Sequence, residues 1–260
     1  MALHSRYTEG VHDELNYLAT WLPTVPLAPG DVCTLEDLQL QKVGTLADFG
    51  IAFEAKDAPV KADFEYSSAD EVSIDIKAAG QAPIAGSALA IEDAGLTVRF
   101  ANAGAVLLRL AGCTSRQIAN LHAVGQQVLA LHRQDKWPEG YVVITETVTA
   151  GASTILISQG KDASLDLSAK GGVQAGTVTL ASLDAGLQVK RETRIGAKFI
   201  AEPGLTPLVL ASGVRKRFVR PDEFRMRKAP PGGTDTFDFV AVDYPAVSGS
   251  GSGSGSGSSD

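Results

Sequence analysis

Residues 141–158, YVVITETVTAGASTILIS, followed by QGKDASLDLSAKGG (159–172) and LDAGLQVKRETRIGAKFI (183–200), decide the fold. Alternation recurs here with little helix-forming character. Leu165, Leu167 and Ala169 fall on one side while Ser164, Asp166 and Ser168 fall on the other, the period-2 signature of an amphipathic strand. Gly151, Gly160, Gly171, Gly172, Gly176, Gly186 and Gly196 punctuate the runs, so 141–200 is predicted to form several antiparallel strands joined by tight turns. A half-solvated sheet in an ordinary soluble domain explains this alternation equally well.

The same period appears further out. Val60, Ala62, Phe64 and Tyr66 alternate with Lys61, Asp63 and Glu65; after a turn at Ser67–Asp70, Val72, Ile74 and Ile76 alternate with Ser73, Asp75 and Lys77. This reads as a hairpin of 60–66 with 71–77. A looser stretch, 78–90, carries Gly80, Pro83 and Gly86, and two more strands are predicted around Leu96–Phe100 and Val106–Leu110. In TSRQIANLHAVGQQVLALHRQ (114–134), Ile118, Leu121, Val124, Val128 and Leu131 form an apolar stripe at helical spacing. Thr114 or Ser115 can cap this helix and Trp137-Pro138 ends it. A shorter helix is expected over 10–22, stopped by Pro23, Pro26 and Pro29, with strands near 38–43 and 51–54 and a late strand in 205–218. Strands interrupted by one helix indicate an α+β fold: a large twisted antiparallel sheet with one long packed helix and short peripheral helices.

The net charge of −7 argues against a general nucleic-acid binder, which needs a basic surface. Cys33 and Cys113 stand alone, without CxxC or a Cys/His cluster, so neither a disulfide framework nor a zinc site is expected and a reducing cytoplasm fits. The first fifteen residues lack the apolar core of a signal peptide, and no run approaches the ~18 apolar residues of a spanning helix, so the chain is expected to be soluble and intracellular. The final SGSGSGSGSGSSD (248–260) reads as an appended flexible linker.

Little in the sequence points to catalysis. His122 and His132 lie on different sides of the predicted helix and cannot form a metal edge, and His4 and His12 have no ligand-spaced neighbours. Gly171-Gly172 with Gly176 lacks the context of a phosphate loop, and no serine sits in GxSxG. Cys113, placed before a helix N-terminus, would have a lowered pKa if exposed there, whereas a packed cysteine would be inert. No catalytic residue, metal or cofactor is expected, and a site assembled from scattered Asp and Glu stays open.

One charged feature stands out. GVRKRFVRPDEFRMRK (213–228) holds Arg215, Lys216, Arg217, Arg220, Arg225, Arg227 and Lys228 against Asp222 and Glu223. Such a cluster could attract an anionic leaflet at ~1 kcal/mol per basic residue, or be a solvated loop or the partner of acidic surface in the same chain. The segment PPGGTDTFDFVAVDYPAV (230–247) follows it. Phe237, Phe239, Val242 and Tyr244 are too apolar for an ordinary tail, so 234–247 is expected to dock on the domain.

Three stretches carry a resemblance. YVVITETVTAGASTILI (141–157) resembles the strand that opens the second membrane-inserting hairpin region of gasdermins, particularly the short bacterial members. GLTPLVLASGVRKRF (204–218) resembles their late "PLVF…VRLF"-like strand, and VGTLADFGIAF (43–53) an early "LG-L-F" segment. The overlap covers roughly 10–220. It implies a pore-forming domain over 1–228, a short autoinhibitory segment over 229–247, and no enzyme activity. The implied partners are an activating protease, anionic membrane lipids, and further copies of the chain in a pore that kills the cell. The inactive form would be cytoplasmic and the active one at the inner face of the cell membrane. Two features depart from the family: residues 1–32 hold no cysteine to lipidate, and the glycine-rich apolar stretch is weak in 78–90. A β-pore also needs two-faced strands of ~9–11 residues closed against lipid, and 60–77 and 141–170 alternate in that way. The rival reading is a soluble binding or scaffold module with a fixed sheet and a basic docking segment.

Overall fold

Helix α1 (Leu3–Leu15) runs into β1 (Leu18–Ala19), the hairpin β2 (Asp31–Glu36) and β3 (Gln39–Thr45), and a 3-10 turn at Leu46–Phe49. Four long runs of strand follow. The first is β4 (Ala55–Asp57), β5 (Ala62–Ser67) and β6 (Val72–Lys77); then, after the short β7 (Ala88–Ala90), come β8 (Gly95–Phe100) and β9 (Val106–Ile118). Helix α2 (Leu121–His132) leads to β10 (Tyr141–Thr149), β11 (Ala152–Ser158) and β12 (Ala163–Ala169). After β13 (Thr177–Thr179) the last run is β14 (Leu187–Thr193), β15 (Ile195–Glu202) and β16 (Leu208–Lys216), and β17 (Phe237–Ala241) closes the order. This computed structural model describes residues 3–58, 62–68, 71–77, 88–90, 95–169, 177–179, 187–202, 204–216 and 237–242.

The second and third runs share one register. Gly95 lies opposite Ser168, Phe100 opposite Ala163, Val106 opposite Ile157, Ala111 opposite Ala152 and Gln117 opposite Glu146, with no residue gained or lost between. This spine belongs to two sheets: β9, β10 and β11 to an 11-stranded sheet, β8 and β12 to a 4-stranded sheet ordered β14-β12-β8-β6. All the strand pairs are antiparallel.

A glycine interrupts each of the three central runs at one level. Gly112 (φ 59°) stands between the part of β9 that pairs with β10 and the part that pairs with β11, Gly151 stands between β10 and β11, and Gly204 (φ 72°) between β15 and β16. The backbones stay joined there through Gly204 N–H to Ala150 C=O and Ala150 N–H to Leu205 C=O, both 3.0 Å. A side chain at Gly151 would press its Cβ to 3.2 Å from the carbonyls of Ala111 and Gly112.

The face carrying Val106, Leu108, Leu110, Ile155 and Ile157 is covered by Tyr7 and Val11 of α1. Gly10 lets this helix lie against Tyr66, whose hydroxyl would be 2.1 Å from an added Cβ. Val124 and Val128 of α2 pack in a second cluster with Val32, Leu46, Ile118, Trp137 and Val143.

The large antiparallel sheet agrees with the sequence; several elements do not. The described residues contain two α-helices of 13 and 12 residues rather than one long helix. Thr114–Ile118 is strand, because β4 on one edge of β9 and β10 on the other offer it ladder bonds at Arg116 and Gln117. Ile118, Val124, Val128 and Leu131 still share a core, but Leu121 is 36% exposed, and the N-cap is Asn120 rather than Thr114 or Ser115. The first helix lies at 3–15, on the four-spaced set Leu3, Tyr7, Val11 and Leu15, and ends at left-handed Asn16. The expected strand at 51–54 lies outside any ladder, and the nearest strand begins at Ala55.

Among the described residues the 60–77 hairpin does not form. Its two strands exist, but β5 pairs β9 and β6 pairs β8. Ser68 N–H bonds Val106 C=O at 3.0 Å and Ala101 N–H bonds Glu71 C=O at 2.8 Å, so the chain steps from one sheet to the next instead of reversing.

Replacing Gly112 or Gly204 with valine forces a β-branched residue into positive φ. Each should cost about 1–2 kcal/mol, read as a lower urea midpoint with an unchanged m-value.

Candidate membrane-active hairpins and C-terminal clasp

Two hairpins build the 4-stranded sheet: β6 with β8, closed through 78–94, and β12 with β14, closed through 170–186. The segments closing them meet, Thr177–Thr179 of β13 pairing with Ala88–Ala90 of β7. Because side chains alternate, the shared register sorts the strands into two faces. Val98, Phe100, Leu165 and Leu167 form one buried cluster with Val72 and Ile74, and Val189 on β14 aligns with Leu167. Ser73, Asp75, Thr97, Arg99, Ser164, Asp166, Arg191 and Thr193 occupy the alternate register positions. Glu192 is the exception, aligned with Leu165 and ion-paired to Lys198.

The apolar face closes on the main sheet, for its cluster includes Leu107 and Leu156. The junction is hydrogen-bonded around buried Ser158, which accepts from Gly104 N–H (2.9 Å) at its carbonyl and from Ala105 N–H (2.9 Å) at its hydroxyl. Arg6 of α1 clasps the junction from outside, donating to Ala103 C=O at 2.8 Å and lying 4.0 Å from Glu71.

Strand β17 closes the outer edge of β16. Lys216 faces Phe237, Arg215 faces Asp238, Val214 faces Phe239, Gly213 faces Val240 and Ser212 faces Ala241, while β1 covers Leu208 and Val209 on the same strand. Phe239 packs into the α2 core over Gly125, where an added Cβ would lie 2.8 Å from its ring. Phe237 meets His132 edge-on at 4.5 Å, and Val242 joins the cluster of Leu18, Ile144 and Val209. Tyr244 lies outside the described residues. So do Arg217, Arg220, Arg225, Arg227 and Lys228, whereas Arg215 and Lys216 end β16 beside the clasp.

Neither cysteine is a poised nucleophile. Cys113 sits in β9, not before a helix, and burial followed by the charge of Asp63 pushes its pKa up to about 12. Burial, with Asp31 adding and Lys42 opposing, pushes Cys33 up to about 12 as well. Tyr17 is raised to about 12 by burial and by Glu146, which accepts its hydroxyl at 3.1 Å. Among the described residues no cluster of His, Cys, Asp and Glu could hold a metal ion, and no helix is long and apolar enough to cross a membrane.

No known family profile matches this chain, and no curated protein matches it. Among solved structures it is similar to a bacterial gasdermin from Bradyrhizobium tropiciagri, at 14% identity over 82% of this chain and 88% of that one, with a TM-score of 0.34.

The raised thiols and phenol bind protons in the fold that the unfolded chain releases above ~8.5 for cysteine and ~10 for tyrosine. Stability is therefore complete below pH ~8.5 and lost as pH rises toward about 12. Urea titrations should show that loss, and the double variant C33A/C113A should delay its onset to the tyrosine range. Thiol reagents should modify the native protein only on unfolding.

Proposed function

We propose that this chain is the soluble precursor of a gasdermin-like pore-forming effector, with residues 1–228 as the pore-forming domain and 229–247 as its inhibitory segment. The observation that supports it best is the two-faced, four-stranded layer formed by β6, β8, β12 and β14. A strand layer crosses a bilayer only with one face to lipid, one to water, and its backbone paired throughout. Opening the junction at Ser158 presents the Val98, Phe100, Leu165 and Leu167 face to lipid without changing strand register. The chemistry is membrane insertion and needs no catalytic residue or cofactor.

In this reading Phe237, Phe239, Val242 and Tyr244 hold the inactive state by fastening 234–247 to β16 and α2. Proteolysis in Ala229–Thr234 releases it. Arg215, Lys216, Arg217, Arg220, Arg225, Arg227 and Lys228 then meet anionic head groups at the inner face of the cell membrane, and copies assemble.

Cleavage at 229–234, or F237D/F239D in the full chain, should make the protein self-associate and release dye from anionic vesicles. Gly125→Leu should do the same from the opposite side of the contact by displacing Phe239. A released protein that stays monomeric and leaves vesicles intact means the sheet is fixed and the chain a binding module.

Neutralising three of the seven basic residues should weaken binding to anionic vesicles by ~3 kcal/mol at low salt, and added salt should act likewise. Equal binding to neutral vesicles removes the lipid role of that segment.

A further inference from the structure

The C-terminal clasp also walls a cavity. Along β16 and β17 the facing pairs Val214–Phe239 and Lys216–Phe237 lie on the side that α2 covers, because side chains alternate along a strand. Phe239 fills the α2 core, and one residue pair further along the space between the end of α2 and the start of β10 forms a cavity of about 270 Å³. Its walls are Phe237 and Val214, the last residue of α2, His132, and the exposed turn Pro138–Gly140 that leads into Tyr141. His132 Nδ1 is buried and has no hydrogen-bond partner among the described residues, while its ring meets Phe237 edge-on at 4.5 Å. Native folds seldom leave such an atom unsatisfied. The His132 imidazole, the Lys216 side chain and the Glu139 carboxylate thus share a space whose other walls are largely apolar.

We propose that this cavity binds a free apolar α-amino acid, with its carboxylate held by His132 Nδ1–H and Lys216, its ammonium by Glu139, and its side chain against Phe237, Val214 and Pro138. Charge selects the class. An acid without an amine brings its anion beside Glu139, and an amine without a carboxylate brings its cation beside Lys216, whereas a zwitterion meets an opposite charge on both walls. Size agrees, since about 270 Å³ falls just below the ~300–1,000 Å³ of pockets for drug-sized ligands. A neutral imidazole carries one N–H, and a carboxylate at Nδ1 fixes it there. The bound molecule touches α2, the 138–141 turn, β16 and β17 together, so it binds best to the chain whose clasp is in place and stabilises that form by mass action. This consequence, unlike the binding, rests on the pore-forming reading: a rising amino-acid level holds the precursor closed.

The test uses the full chain and L-leucine, read by calorimetric titration and by the melting midpoint. Leucine should bind with a dissociation constant below ~1 mM and raise the midpoint, while isocaproate, which lacks the amine, and isoamylamine, which lacks the carboxylate, should each bind roughly tenfold more weakly. H132F keeps a ring against Phe237 without its nitrogens and should raise the leucine constant roughly tenfold. E139Q should narrow the discrimination against isocaproate alone, and K216M that against isoamylamine alone, a split that general loss of structure does not produce. If leucine gives no saturable binding, the cavity holds solvent only and the proposal is overturned; binding that all three variants leave unchanged overturns it as well. After cleavage at 229–234, leucine should slow dye release from phosphatidylglycerol-containing vesicles. Dye release without leucine binding overturns the site and leaves the pore-forming reading standing. Leucine binding without dye release keeps the site and removes the pore.

Discussion

The unbroken register between 95–117 and 146–168 is the constraint on which the rest depends. A one-residue slip would move every side chain on one partner to the opposite face. Such a slip would replace Ile155 and Ile157 beneath α1 with Thr154 and Leu156, and the same slip would carry Leu165 and Leu167 out of the apolar cluster. One alignment thus serves both sheets. The glycines at 112 and 151 let the ladder bend without an inserted residue, and the five residues on each side of the junction, 101–105 and 158–162, preserve it a second time. A bend made by bulges alone would shift the faces on one side of it.

The same arrangement limits how the hairpins are held. Val98, Phe100, Leu107, Leu156, Leu165 and Leu167 are almost wholly buried. At roughly 1.5–3 kcal/mol per large side chain, exposing this cluster to water costs on the order of 10 kcal/mol. Arg6, half exposed, adds little, since surface ion pairs contribute about 0–1 kcal/mol. Opening in water is therefore rare however the polar contacts are tuned. In the proposed insertion, lipid would remove the larger part of that cost, because hydrocarbon would take the place of Leu107 and Leu156 against the same face. On that proposal the barrier to opening is set by apolar area and not by charge.

Strand type was legible where alternation was strict, in 62–67, 72–77, 95–100 and 163–169, because period 2 is a local property. Which strands pair is not local. The 60–77 segment has turn residues between two alternating runs, yet β8 and β9 supply longer ladders than the runs supply to each other. Thr114–Ile118 shows the same effect, apolar spacing admitting a helix and two neighbouring strands imposing an extended chain. The apolar stripe from Ile118 to Leu131 named most of one core correctly while misplacing its backbone. Of the site, the docking of Phe237 and Phe239 was visible in composition, since such residues near a chain end need cover. Arg6, Gly125 and Ser158 were not, for their roles depend on contacts with distant segments.

The clasp occupies a strand edge, and that position matters more than its size. Backbone groups along an uncovered edge form a template for another strand, which folded proteins cover or charge. Here β1 covers the beginning of β16 and β17 covers its end, so removing β17 bares Ser212–Lys216 while the core strand beneath stays paired to β10. Two half-buried rings and a five-residue ladder oppose backbone ordering of about 1–2 kcal/mol per residue, a balance that leaves a small net stabilisation. A tethered segment tolerates so narrow a margin because its effective concentration is high. Cutting the tether removes that advantage without altering a single contact, so the covalent link before β17, more than its side chains, determines whether this edge stays closed.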